Sequence, residues 1–232
     1  EIYQCDWSSD VCSSDLGLGI ALLTNNFRTL EQWGLGKNSA TLTFDNCRHA
    51  ILVNVQDAGN VLLESYQNNM SNVGFGYTLF GADNGNGTFR ANSNIQYNQV
   101  NYNSTYGIGI RNISPATRLT ISRNRIATVG GGFGILLENA TMPIIGGNHR
   151  VSIVNNIAET LTDPDGIYGS FIAGISMTNF SNTLVENNTV ADFSIRGIHN
   201  AGSPENDIRC NDVQSAVSFG GSASIFNTMS AS

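Results

Sequence analysis

The chain has 232 residues, a length suited to one domain, and carries 11 Lys+Arg against 18 Asp+Glu for a net charge of −7. That balance excludes the electrostatic footprint of a protein that binds nucleic acid or an anionic membrane, and no run of 18 apolar residues offers a membrane span. Asparagine at 30 positions, glycine at 25 and a single lysine, Lys37, disfavour helices, while short apolar runs of Ile, Val, Leu and Phe favour many brief strands joined by tight corners.

The first sixteen residues stand apart. Asp6 to Leu16, Asp-Trp-Ser-Ser-Asp-Val-Cys-Ser-Ser-Asp-Leu, resemble the conceptual translation of a short-read sequencing adapter, and Glu1 to Cys5 fit a sample index ahead of it. Residues 1–16 are therefore read as foreign to the fold and 17–232 as one repeat domain, cut at both ends. Without this leader the acids fall to 14 against 11 bases, a net charge of about −3. Only Cys47 and Cys210 then remain, 163 positions apart, and both are expected as free thiols.

From 17 to 60 the patterning is loose, with Gly19-Ile-Ala-Leu and His49-Ala-Ile-Leu-Val as candidate strands. Beyond it a phrase recurs: apolar, two residues, Asn, one residue, apolar. It runs Ile95-Gln-Tyr-Asn98-Gln-Val100, Ile121-Ser-Arg-Asn124-Arg-Ile126, a shortened Ile153-Val-Asn-Asn156-Ile157, Val185-Glu-Asn-Asn188-Thr-Val190 and Ile208-Arg-Cys-Asn211-Asp-Val213, with the asparagines 26, 32, 32 and 23 apart. Nine or ten residues later a second phrase follows in most copies: Gly107-Ile-Gly-Ile-Arg-Asn112, Gly134-Ile-Leu-Leu-Glu-Asn139 and Gly174-Ile-Ser-Met-Thr-Asn179. Gly197-Ile-His-Asn is a diverged copy, and Gly76-Tyr-Thr-Leu-Phe-Gly81 an earlier one.

Units this small cannot bury their own apolar face, and stacking them gives a continuous core. The alignment predicts two internal columns, Ile108–Ile135–Ile175–Ile198 and Ile110–Leu137–Met177, with coils rising about 4.8 Å each. Stacked corner asparagines should form a hydrogen-bonded ladder, and the glycines should supply corners of positive φ. A β-sandwich would need two-residue hairpin turns and shorter spacing.

These phrases resemble the right-handed parallel β-helix family, the pectate-lyase-like superfold with Asn-rich corners, well over 61–219 and loosely over 17–60. The resemblance implies an all-β solenoid of roughly eight coils. It also implies secretion or cell-surface location and a polysaccharide or glycan as partner, with end-to-end self-association through uncapped solenoid ends. Members of the family include lyases, hydrolases, epimerases, adhesins and tailspikes, so three readings stay open: a carbohydrate-binding module, a lyase or epimerase acting on uronate polymers, and a structural spacer.

One interruption breaks the rhythm. Asn156 and Gly174 are 18 residues apart where other coils use nine or ten, and the excess lies in Leu161–Ser170. Insertions on solenoids become loops on one face, often the binding face. Asp163 and Asp165 offer carboxylate oxygens of the kind that hold Ca²⁺. Asp163-Pro164-Asp165 is similar to the Asp-Pro-His-Asp/Glu motif of alginate epimerases, without its histidine. Tyr168, Arg196 and His199 are the candidate bases for proton abstraction beside a sugar carboxylate, with Asp163 and Asp165 as further catalytic candidates. Arg111 and Glu138 are candidate sugar contacts and also fit a simple cross-strand ion pair. Glu138 aligns with Arg111, Thr178 and Ala201 on other coils, which leaves no facing acid for a hydrolase.

Overall fold

A computed structural model of the chain describes residues 2–4, 17–24, 27–33, 43–55, 59–81, 87–114, 116–128, 131–139, 150–160, 171–191, 193–201, 205–214 and 223–228. Among these residues every regular element is a strand. The chain is a parallel β-solenoid, as the repeats predict. Each coil has three strands, where the phrases predict at least two; one coil runs Tyr106–Arg111, Arg118–Ser122 and Arg125–Thr128. Each strand pairs with its counterpart one coil away, which builds a 9-stranded, an 8-stranded and a 7-stranded sheet. The part followed by the asparagine column comprises about five turns, fewer than the roughly eight coils counted from the phrases.

Alternation sets the strands. In Asn60–Tyr66 the even-spaced residues Val61, Leu63 and Ser65 turn inward and are fully buried, while their neighbours reach solvent. Both predicted columns form. Ile108 pairs in register with Ile135, Ile135 with Ile175 and Ile175 with Ile198, all at most 1% exposed. Ile110, Leu137 and Met177 stack beside them, and the columns continue backward through Tyr77 and Leu79 to Ile51 and Val53. Truncating a side chain in such a column would cost about 2–5 kcal/mol.

The corner between the second and third strands is two residues long, and its chemistry differs from the glycine corners expected. Its first residue is left-handed in coil after coil without being glycine: Gln67, Tyr97, Arg123, Asn155, Asn187 and Cys210 have φ of 53–58°. The second residue is the ladder asparagine: Asn68, Asn98, Asn124, Asn156, Asn188 or Asn211. Asn124 illustrates the pattern. Its Oδ1 accepts from the backbone N–H of Asn98 (3.0 Å) and from Asn98 Nδ2 (2.9 Å). Its own Nδ2 donates to Asn156 Oδ1 and to the Ile95 carbonyl, both at 2.9 Å. Buried corner amides are thereby satisfied from coil to coil.

Asn68 is the first ladder asparagine among the described residues, and it is absent from the repeat because Ser65 stands where the phrase has an apolar residue. Ser65 Oγ instead meets the Asn68 amide at 2.9 Å and the buried Tyr77 hydroxyl at 2.8 Å. The phrase glycines serve packing. A Cβ on Gly107 would lie 2.5 Å from Ile126 Cγ2, and one on Gly174 would lie 2.1 Å from Val190 Cγ1. Positive-φ glycines among the described residues are Gly17, Gly131 and Gly132.

Two further expectations change. Cys47 is buried and disulfide-bonded rather than free, whereas Cys210 is a free, exposed thiol at an Asn-ladder corner. Within the leader, Ile2–Gln4 extends the first sheet as an antiparallel strand against Leu18–Thr24, and 5–16 lie outside the described residues.

Candidate functional site

The outward face of the first sheet carries the functional candidates. Strand register decides which of them meet. Arg111, Glu138 and Thr178 occupy one outward row on successive coils. Leu136, Ser176 and His199 occupy the next row, and Ala173 pairs with Arg196. Outward rows on a parallel sheet bring side chains from sequence positions 23 to 40 residues apart within contact of one another.

These rows form a groove of about 310 Å³. Its polar lining comprises Arg111, Glu138, Ser176, Arg196 and His199, joined by the hydroxyls of Thr105 and Thr178. Phe133, Leu136, Ile172 and Ile195 supply apolar surface. Ile172 and Ile195 are 44% and 48% exposed, high for large aliphatic side chains. A small groove with a few convergent polar groups on apolar walls has the usual character of a ligand site.

Arg111 and Glu138 form the cross-strand ion pair read from the alignment. Arg111 Nε donates to Glu138 Oε2 at 2.7 Å, and Nη2 contacts the same oxygen. Both side chains are well exposed, so the pair adds little to stability, under about 1 kcal/mol. Its effect is to hold a guanidinium and a carboxylate in fixed positions at one side of the groove.

His199 sits opposite in character. Its Nδ1 lies 3.2 Å from Ser176 Oγ on the adjacent strand. Burial, and the Arg196 guanidinium close by, hold its pKa below the ordinary histidine value. The shift disfavours the protonated imidazole and so favours the form that accepts a proton. A second outward histidine repeats the bond but not the setting. His49 Nδ1 meets Thr78 Oγ1 at 2.8 Å, yet its ring is stacked on Phe75 with centroids 4.5 Å apart, and it lines no part of the groove.

Of the residues singled out from sequence, Arg111, Glu138, Arg196 and His199 come together around this groove. Asp163, Asp165 and Tyr168 lie outside the described residues, and so does the calcium site proposed for the two aspartates. Their segment joins the strand Ile157–Thr160 to Phe171–Thr178, the strand that bears Ile172 and Ser176. Among the described residues no group of three or more His, Cys, Asp or Glu could hold a metal ion. No helix among them is long and apolar enough to cross a membrane.

Ser176, Phe133, Leu136, Ile172 and Ile195 were not singled out. A signal for Ser176 exists: it stands two residues after Gly174, as His199 stands two after Gly197, so alignment of the second phrase puts both in one outward row. The isoleucines give no such signal, because both precede the phrase glycine and lie outside the repeat.

Comparison with known proteins adds no assignment: no family model, no curated protein and no solved structure matches the chain.

Proposed function

We propose that the protein is a secreted β-solenoid module that recognises a polysaccharide or glycan in the groove on the outward face of its first sheet. The observation that carries this reading is the lining itself. Sugars present apolar ring faces and a rim of hydroxyls. The groove offers Phe133, Leu136, Ile172 and Ile195 to the former, and Arg111, Glu138, Ser176 and His199 to the latter. The solenoid fixes these side chains on rigid strands, which lowers the ordering cost of binding.

Arg196 and the ion-paired Arg111 also suit an acidic sugar. That favours one second reading, in which His199 removes a proton beside a uronate carboxylate that an arginine neutralises. The resemblance to the parallel β-helix family supports both readings and the secreted location.

The test is binding of the full-length chain to polygalacturonate, alginate and a neutral β-glucan by titration calorimetry, with absorbance of new unsaturated ends followed in parallel. Binding that weakens at least about tenfold in Arg196→Ala, a loss of about 1.4 kcal/mol, supports the groove. Folded protein that binds none of the three polymers removes the proposal. New unsaturated ends, lost in His199→Gln, would select the lyase reading.

A further inference from the structure

Ser176 and His199 are the one hydroxyl–imidazole pair of the described residues that lines the groove. Both belong to the outward row that also holds Leu136, and their strands pair so that the two residues are direct register partners. Both side chains stand on strands, Phe171–Thr178 and Phe193–Ala201. The serine is 2% exposed, which shields its hydroxyl from bulk water while its surface opens to the groove. The histidine is half-buried. With Nδ1 as the unprotonated nitrogen, Ser176 Oγ–H donates to it, the arrangement that activates a serine hydroxyl by an adjacent general base.

The surroundings match one reaction better than others. Arg196 is the cationic neighbour of the imidazole and lines the same groove. A cation there favours an anionic oxygen that develops when a carbonyl is attacked. Leu136 precedes Ser176 in the row, and Ala173 and Ile172 lie on Ser176's own strand, so a small apolar group would rest on carbon rather than on charge.

We propose that Ser176 and His199 act as nucleophile and general base to remove ester-linked acyl groups from the sugar chain held in this groove. The proposal rests on the groove reading above. In the first half, Ser176 Oγ bonds to the acyl carbonyl carbon as its proton passes to His199 Nδ1. The bond from that carbon to the sugar oxygen breaks, and the oxygen leaves with the proton from His199. In the second half, water gives a proton to His199 and its oxygen to the acyl carbon. The acyl–serine bond then breaks, the carboxylic acid departs and Ser176 Oγ regains its proton. No oxidant or reductant takes part.

The His49–Thr78 pair supplies an internal comparison. It has a shorter bond of the same kind, but Phe75 stacks on the imidazole and Thr78 is shared with the Tyr106 hydroxyl at 3.4 Å. It does not line this groove and has no proposed chemistry.

The experiment treats the full-length chain with a fluorophosphonate probe and maps the labelled residue by peptide mass spectrometry. In parallel, acetate release from an O-acetylated polysaccharide and from 4-nitrophenyl acetate is measured. Labelling of Ser176 is expected, with acetate release that falls at least about a hundredfold in Ser176→Ala and in His199→Gln. Thr78→Val should retain both signals. The wild-type rate should decline as pH drops below the ordinary histidine range, and His199→Gln should lose that acid limb. His199→Gln keeps the test decisive if the serine variant does not fold. Folded wild-type protein that takes up no label and releases no acetate overturns the proposal, as does labelling that survives Ser176→Ala. Binding of unacetylated polymer is recorded on the same samples. Binding without ester cleavage sinks the dyad alone, and absence of binding sinks the groove reading beneath it.

Discussion

Asn124 shows how a single residue can link three coils. Its side chain accepts two hydrogen bonds from Asn98 and donates to Asn156 and to the Ile95 carbonyl, all in the interior. Replacement by alanine would leave the Asn98 backbone N–H without its acceptor and the Ile95 carbonyl without its donor. A buried polar group stripped of its partner costs about 1–3 kcal/mol. Asn124→Ala is therefore expected to lower stability by about 2–4 kcal/mol in urea unfolding. Asn124→Asp should be at least as harmful, because a carboxylate cannot donate onward to Asn156. An Asn124→Ala protein with an unchanged unfolding midpoint would mean the ladder is ornamental. The exposed corner residue beside it obeys a looser rule. Gln67, Tyr97, Arg123, Asn155, Asn187 and Cys210 all adopt the left-handed backbone at modest cost, because the buried amide after each one fixes the turn. Arg123 goes further and lies over the Tyr97 ring of the preceding coil, 5.2 Å from its centroid.

At the level of the strand, Gly76, Gly107 and Gly174, which open second-phrase copies, mark points of close approach. Gly174 faces Val190 Cγ1 across the interior, where the first and third sheets converge. A methyl group there would collide at 2.1 Å, so Gly174→Ala should destabilise by about 1–3 kcal/mol, and Val190→Ala in the same chain should restore part of the loss. Additive losses in the double variant would contradict the steric account. This element also shows what the sequence reveals and what it withholds. The columns through Ile108 and Ile110 were readable, because burial on one side imposes strict alternation and the coils repeat it. The ladder was readable from Asn98 onward, since its amide has no substitute that both donates and accepts. Its first rung was not, because Ser65 and Tyr77 satisfy Asn68 with hydroxyls and break the apolar frame. The sequence left the strand count at two or more, because Arg125–Thr128 and its counterparts are short and only the two-residue asparagine corner separates them from the second strand. Half of the groove was legible as outward charges. Its apolar half was not, because an outward isoleucine gives the same signal as an inward one until the register is known.

For the whole molecule, cohesion is a sum of contacts between neighbouring coils, with no element among the described residues that reaches across the stack. The parallel columns begin at Leu18, and the leader adds one antiparallel strand outside them. Removal of residues 1–16 should accordingly leave the β-strand signature and the groove binding unchanged, measured by circular dichroism and calorimetry on the shortened chain. Loss of the strand signal would show that Ile2–Gln4 is integral to the domain. The spacing of the ladder asparagines carries a last implication. Coils of 23 and of 32 residues keep the same register, so extra length is absorbed between the strands without disturbing the column. Each coil thus behaves as a rung of fixed tread and adjustable railing. On the proposed reading of the groove, its preference would be rewritten by changing the railings, one at a time, while the staircase stands.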